Sequence, residues 1–102
     1  KSRWCSVEHF TGLDWDHGNL AKCQKHGVSI AEINAMFAGE PRYSPDVAHS
    51  LIEQRYLATG RTESGRAILV IFTVRDREGE RLVRPISARY MHAKEAARFS
   101  SA

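Results

Sequence analysis

The sequence has few of the residues and motifs from which metal sites and several common catalytic sites are built. It has two cysteines, Cys5 and Cys23, and neither they nor the five histidines show the spacing of a metal site. It also lacks a carboxylate pair, a glycine-rich phosphate loop and a Gly-x-Ser-x-Gly elbow, which disfavours glycosidase, nucleotide-triphosphate and esterase chemistry. The longest apolar run, residues 67–72, is far below the roughly 18 residues of a membrane span. We therefore expect a reduced, cytoplasmic protein that uses no metal or other cofactor and does not enter a membrane.

The charge is distributed unevenly along the 102 residues. Residues 1–51 carry five Lys or Arg against six Asp or Glu, whereas residues 52–102 carry ten against six, so the two halves have net charges of −1 and +4. Most of the basic residues are arginines, whose planar fork of donors suits phosphate and carboxylate groups. The basic half is therefore either a polyanion-binding surface or a solvated hairpin surface, and composition alone favours neither.

Sequence patterns before residue 50 predict two short helices. Residues 14–16 precede a helical segment that closes at residues 25–27 with a basic last turn and a glycine. Ser29 and Glu32 match a capping box, which predicts the start of a second helix. Residues 39–49 contain two prolines and are interpreted as a linker.

After residue 50 the pattern becomes extended. The run 67–74 is apolar except for Thr73 and rich in β-branched residues, which predicts a central strand buried on both faces. Strands at 52–60 and 82–89 flank it across glycine-containing turns and form an antiparallel meander with it. Because proline cannot donate to a strand ladder, Pro85 predicts that its strand lies at an edge or bulges there. A final helix at 92–99 and a short strand near 10–13 complete the prediction.

These elements predict one α+β domain over residues 1–102. Two N-terminal helices and a short C-terminal helix are expected to pack on one face of a small antiparallel β-sheet. Residues 12–99 form the domain proper, and residues 1–11 are interpreted as an extension. Strict alternation places Arg84 and Arg89 on opposite faces, but a bulge at Pro85 would bring them to the same face.

Metal-independent RNA cleavage needs few chemical groups. One group takes the 2′-hydroxyl proton, one protonates the leaving oxygen, and cationic donors stabilise the pentavalent phosphate. His26, which follows Lys25 at the end of the first helix, is the histidine we single out, the alternative being that both residues interact with the helix dipole. Glu95, three residues after His92, is interpreted as the ion-pair partner of an arginine rather than as a base.

Three short segments follow one another along the chain: Trp15-Asp16 with Asn19, Lys25-His26-Gly27-Val28, and Ile86-Ser87-Ala88-Arg89. Together with Phe37, the strands at 55–60 and 69–74, and Glu95, they resemble the BrnT family of toxins over about residues 13–99. Pro85 departs from the family pattern, in which isoleucine is more frequent.

The resemblance implies a RelE-like ribonuclease fold and a toxin of a bacterial type II toxin-antitoxin system. Such a toxin would be a metal-independent endoribonuclease that cleaves RNA and inhibits translation. The resemblance also implies neutralisation by a BrnA-like ribbon-helix-helix antitoxin, in a heterotetramer or larger complex that binds operator DNA through the antitoxin.

The site prediction combines the resemblance with the chemistry of the residues. Arg84 and Arg89 are expected to hold the scissile phosphate, Arg55 or Lys25 to stabilise the developing charge, and His26 or Lys25 to transfer a proton. Further contacts to RNA are expected from Asn19, Lys22, Arg61 and Ser87. The alternative is a non-catalytic module, either a decayed toxin or a co-repressor, in which the arginines contact the antitoxin or nucleic acid without cleaving it.

Overall fold

The computed structural model of the chain describes residues 10–39, 41–46 and 54–100. In chain order these residues form β1 (Gly12–Leu13), α1 (His17–Gln24), α2 (Ile30–Ala38), β2 (Arg42–Pro45), β3 (Tyr56–Arg61), β4 (Ala67–Arg77), β5 (Glu80–Tyr90) and α3 (Ala93–Ser100). The strands form one sheet in the order β1-β5-β4-β3-β2, in which only the β1–β5 pair is parallel. The predicted α+β class is confirmed, and the RelE-like label stays a prediction.

Both predicted N-terminal helices are present, and each begins with a capping box. In α1 the Asp16 carboxylate accepts hydrogen bonds from two backbone amides, and the Asn19 side chain accepts one from the Asp16 amide. In α2 the Ser29 hydroxyl and the Glu32 carboxylate each accept from the other residue's amide. These reciprocal bonds satisfy amides that the first helical turn leaves without partners.

The predicted linker is wrong in part, because residues 42–45 form strand β2 and pair antiparallel with β3. Pro45 is tolerated because β2 lies at the edge of the sheet, where a missing donor breaks no ladder. The strand predicted from residue 52 begins at Tyr56, and residues 51–53 lie outside the described part. β4 and β5 run further than predicted and meet at a tight turn, where Glu78 and Gly79 both have positive φ.

A bulge in β5 accommodates Pro85, as predicted. Ile71 pairs with Ser87 and the next residue of β4, Phe72, pairs with Pro85, so Ile86 is the extra residue. The extra residue shifts the phase of the strand. Arg84 and Arg89 consequently lie opposite Thr73 and Leu69, on one face of the sheet.

The core lies between that sheet's other face and the helices α1 and α2. Gly60 of β3 lies directly beneath Met36 of α2, since a Cβ on this glycine would stand 2.7 Å from the methionine Cγ. The buried apolar residues of this layer are Cys23, Val28, Ile33, Met36, Ala58, Ile68, Val70, Phe72, Val83 and Ala88. The helices α1 and α2 therefore lie on the side of the sheet opposite Arg84 and Arg89, and Thr73 and Leu69, which face these arginines across the strands, are buried as well.

The C-terminal helix α3 lies on the opposite face from the one predicted. Its Glu95 contacts Arg89, and its Ala96 lines a small cavity with Thr59 and Ala67, all of which point away from α1 and α2. The expectation that all three helices share one face is thus wrong. The helix turns onto this face after Tyr90, where β5 ends.

Candidate functional site

A cleft of about 260 Å³ opens where α1 meets the bulge of β5. Its lining residues come from three strand regions and one helix: Gly18, Asn19, Lys22, Arg55, Thr73, Arg75, Arg84, Pro85 and Ile86. We call these residues the basic cleft. Four of them carry a positive charge, and no carboxylate is among them.

Arg84 is held at the wall of the basic cleft by two carboxylates from the loop between β1 and α1. Its Nη1 lies 2.8 Å from Asp16 Oδ2 and 3.4 Å from Asp14 Oδ2. Its hydrogen bond to Asp16 raises the pKa of the guanidinium and lowers the pKa of the Asp16 carboxyl. The side chain is only 20% exposed, so its guanidinium is both charged and restricted in direction.

Arg55 enters the basic cleft from the segment just before β3. Its backbone carbonyl accepts a hydrogen bond from the Asp46 amide, at 2.9 Å. The buried Thr73 hydroxyl donates to the carbonyl of the preceding residue, Gln54, at 2.8 Å. The central strand β4 therefore fixes the backbone from which Arg55 reaches the cleft.

Four predicted site residues converge on the basic cleft: Asn19, Lys22, Arg55 and Arg84. Lys22 is exposed on α1 and has no ion-pair partner among the described residues. Lys25 and His26 are also exposed and lie about one helical turn beyond Lys22, outside the cleft lining.

Three other predicted residues share the face of the sheet that carries Arg84 but lie away from the basic cleft. Ser87 faces Ile71 in the middle of the sheet. Arg61 lies at the far end of β3, where its Nη1 donates to the Gly65 carbonyl at 3.0 Å. Arg89 lies opposite Leu69, roughly 13 Å along the strand direction from Arg84, because four residues of β4 separate their partners.

Arg89 forms a bidentate pair with Glu95 of α3. The two nitrogen–oxygen distances are 2.7 and 2.6 Å. This contact lowers the pKa of the Glu95 carboxyl and raises the pKa of the Arg89 guanidinium. The interpretation of Glu95 as an ion-pair partner is confirmed.

Sequence reasoning missed Arg75 and Thr73 as residues of the basic cleft. Thr73 lies near the end of the run 67–74 that predicts the central strand. Arg75 comes directly after this run and therefore lies outside the predicted strand. Because β4 extends to Arg77, alternation turns Thr73 and Arg75 to the face that carries Arg84. The signal that could have found them is the alternation of side chains between the two faces of a strand, continued past the end of the apolar run.

Two other kinds of site, a metal site and a membrane span, find no support in the described part of the chain. Within 10–39, 41–46 and 54–100, no group of three His, Cys, Asp or Glu side chains could hold a metal ion. None of the helices in these segments is long and apolar enough to cross a membrane.

Comparison with known families identifies the chain at the family level. Residues 15–95 match the family model described as ribonuclease toxin, BrnT, of type II toxin-antitoxin system. The chain belongs to the BrnT family. A search of curated proteins found no match.

Membership of the BrnT family confirms the resemblance drawn from the sequence motifs. The matched segment includes the whole lining of the basic cleft as well as Arg89 and Glu95. A BrnT toxin of a type II system has an antitoxin as its partner and RNA as its target.

Proposed function

We propose that this BrnT protein is a metal-independent endoribonuclease that binds the backbone of its RNA substrate in the basic cleft. The observation that carries the proposal is the convergence of four cationic side chains on one cleft: Lys22, Arg55, Arg75 and Arg84. Phosphate oxygens accept hydrogen bonds and carry negative charge, so a cluster of fixed cationic donors matches them. Family membership supports RNA as the polyanion.

Arg84 is the residue we assign to the scissile phosphate. Asp14 and Asp16 orient its guanidinium before substrate arrives, so little reorganisation is needed during the reaction. Arg55, in the same cleft, would stabilise the charge that develops as the phosphate becomes pentavalent. Since Arg89 lies roughly 13 Å from Arg84 along the sheet, we assign it to another phosphate of the same strand.

The remaining predicted contacts extend the proposed RNA path beyond the basic cleft. Ser87 lies between Arg84 and Arg89 on the face of the sheet that carries both arginines, and Arg61 lies near the other end of this face. Arg89 would exchange the Glu95 carboxylate for a phosphate when RNA binds. These positions favour an extended single strand lying across the sheet.

Proton transfer is assigned to Lys25 or His26, which follow the end of α1 about one turn beyond Lys22. In the proposed step the 2′-oxygen attacks phosphorus and its proton passes to a base. The bond from phosphorus to the 5′-oxygen breaks, and that oxygen receives a proton. The products are a 2′,3′-cyclic phosphate and a 5′-hydroxyl, and no metal ion takes part.

In the cell, the proposed partner is a BrnA-like ribbon-helix-helix antitoxin. The type II family supports the existence of an antitoxin, and the basic cleft offers a surface that an antitoxin segment can cover. Toxin and antitoxin would form a heterotetramer or larger complex that binds operator DNA through the antitoxin. The free toxin would cleave RNA in the bacterial cytoplasm and inhibit translation.

The direct test is cleavage of a labelled RNA by purified protein in the presence of EDTA. Arg84→Ala and Arg55→Ala should each slow single-turnover cleavage roughly a hundredfold or more, because each removes a donor to the developing charge. Arg66→Ala is the matched control, since Arg66 stacks on the Tyr90 ring away from the cleft. Cleavage at the wild-type rate by both cleft variants would contradict the proposal.

One observation favours the non-catalytic alternative. The described lining of the basic cleft contains no histidine and no carboxylate, so a proton-transfer group has to reach it from outside. Expression without an antitoxin distinguishes the two functions. Growth arrest with falling protein synthesis supports the ribonuclease, and normal growth supports a binding module.

A further inference from the structure

The Asn19 side chain is buried at the back of the basic cleft and joins three parts of the chain. It is 4% exposed. Its Oδ1 accepts from the Asp16 amide at 2.7 Å, and its Nδ2 donates to the carbonyls of Asp14 and Pro85 at 2.8 and 2.9 Å. Since one end meets a donor and the other meets two acceptors, the orientation of the amide is fixed by its surroundings.

These three bonds connect the loop that carries Asp14 and Asp16 with the strand that carries Arg84. Asp14 and Asp16 supply both carboxylates that hold the Arg84 guanidinium, and Pro85 is the residue next to Arg84 at the bulge. We propose that Asn19 is a positioning residue that sets the direction of Arg84 in the basic cleft. This inference rests on the proposed ribonuclease function of the same cleft.

Direct binding of RNA phosphate by Asn19 is the rival explanation, and its hydrogen bonds argue against it. A phosphate only accepts hydrogen bonds, and Nδ2 is the only donor of an asparagine side chain. Both of its hydrogens are already donated to backbone carbonyls. A bond to phosphate would leave one of those carbonyls without its donor in a buried place, which is unfavourable.

The test combines a double-mutant cycle with a measurement that needs no RNA. Single-turnover cleavage is compared for wild type, Asn19→Ala, Arg84→Ala and the double variant. In parallel, nitrogen-15 NMR follows hydrogen exchange and mobility of the Arg84 Nε–H group in the free protein. Gln24→Ala is the matched control, because it removes one side-chain amide hydrogen bond, to the Leu20 carbonyl, on the exposed side of the same helix.

A positioning role predicts that Asn19→Ala slows cleavage roughly ten- to hundredfold and makes the Arg84 guanidinium mobile. It also predicts no further loss when Asn19→Ala is added to Arg84→Ala, since Asn19 acts through Arg84. The inference would be overturned if the rate losses of the two single variants multiplied in the double variant and the Arg84 NMR signal in Asn19→Ala were the same as in wild type. Asn19→Ser, which keeps a smaller polar group, is the second variant if Asn19→Ala does not fold, and the same outcomes apply.

The two measurements separate this inference from the proposed function. If wild-type protein cleaves no RNA, the ribonuclease assignment of the cleft fails, and the NMR signal of Arg84 still decides whether Asn19 positions it. An immobile Arg84 in Asn19→Ala refutes the positioning role whatever the activity of the wild type.

Discussion

The salt dependence of RNA binding follows from the number of cations in the basic cleft. For a single strand, the slope of log Kobs against log salt is about −0.7 for each phosphate neutralised. The cleft holds four cationic side chains, and each phosphate that one of them neutralises adds to the slope. Three to four neutralised phosphates correspond to a slope between about −2.1 and −2.8.

The same slope gives the size of the effect in an experiment. A fourfold increase in salt should weaken binding roughly 20- to 50-fold. Removing Lys22, which is exposed and has no ion-pair partner among the described residues, should make the slope shallower by about 0.7. Arg66→Ala should leave the slope unchanged, since Arg66 stacks on Tyr90 outside the cleft.

Fluorescence anisotropy with a labelled 2′-deoxy oligonucleotide measures this binding, because a strand without the attacking 2′-hydroxyl is not cleaved. The affinity is determined at several salt concentrations for wild type, Lys22→Ala and Arg66→Ala. An unchanged slope in Lys22→Ala, or an equal loss of slope in Arg66→Ala, would refute the assignment of phosphate contacts to the cleft.

Three further predictions concern stability and reactivity. Ser29→Ala removes the cap of α2 and should lower the free energy of unfolding by about 1 kcal/mol in urea titration, so an unchanged midpoint would contradict the capping role. Because Arg89 lowers the pKa of Glu95, the ion pair should stabilise the protein above the ordinary carboxyl pKa of 4.5 and lose this effect as pH falls through the lowered value. Glu95→Gln should therefore melt below wild type at pH 7, and the gap should close in acid; a gap that does not change with pH would contradict this. Burial raises the pKa of the Cys23 thiol to about 11. In a Cys5→Ser background, a thiol reagent at pH 8 should therefore react with Cys23 only after the protein unfolds. Rapid reaction of the native protein would contradict this.

Local sequence signals predicted the helices and the bulge because each depends on neighbouring residues. The capping residues Asp16 and Ser29 lie within three residues of their partners. Pro85 lacks an amide hydrogen, which is a property of the residue itself. The phase shift that aligns Arg84 with Arg89 followed from that single residue and the period of the strand.

Features that depend on distant pairing could not be predicted in the same way. Strand β2 has a proline at its end and becomes a strand only through its pairing with β3. The ion pairs of Arg84 join residues about 70 positions apart and require the register of β1 on β5. The side of the sheet on which α3 lies follows the Arg89–Glu95 contact. The sequence indicated that Glu95 pairs with an arginine, but not with which one or on which face of the sheet.

The central claim is that RNA binds in the basic cleft, and NMR titration tests it most directly. Labelled protein is titrated with a single-stranded 2′-deoxy oligonucleotide, and backbone amide shifts are followed. The largest changes are predicted at Gly18 to Lys22, at Thr73 to Arg75 and around Ile86. Changes confined to α2 or to the turn at Glu78, with the cleft amides unmoved, would contradict the account.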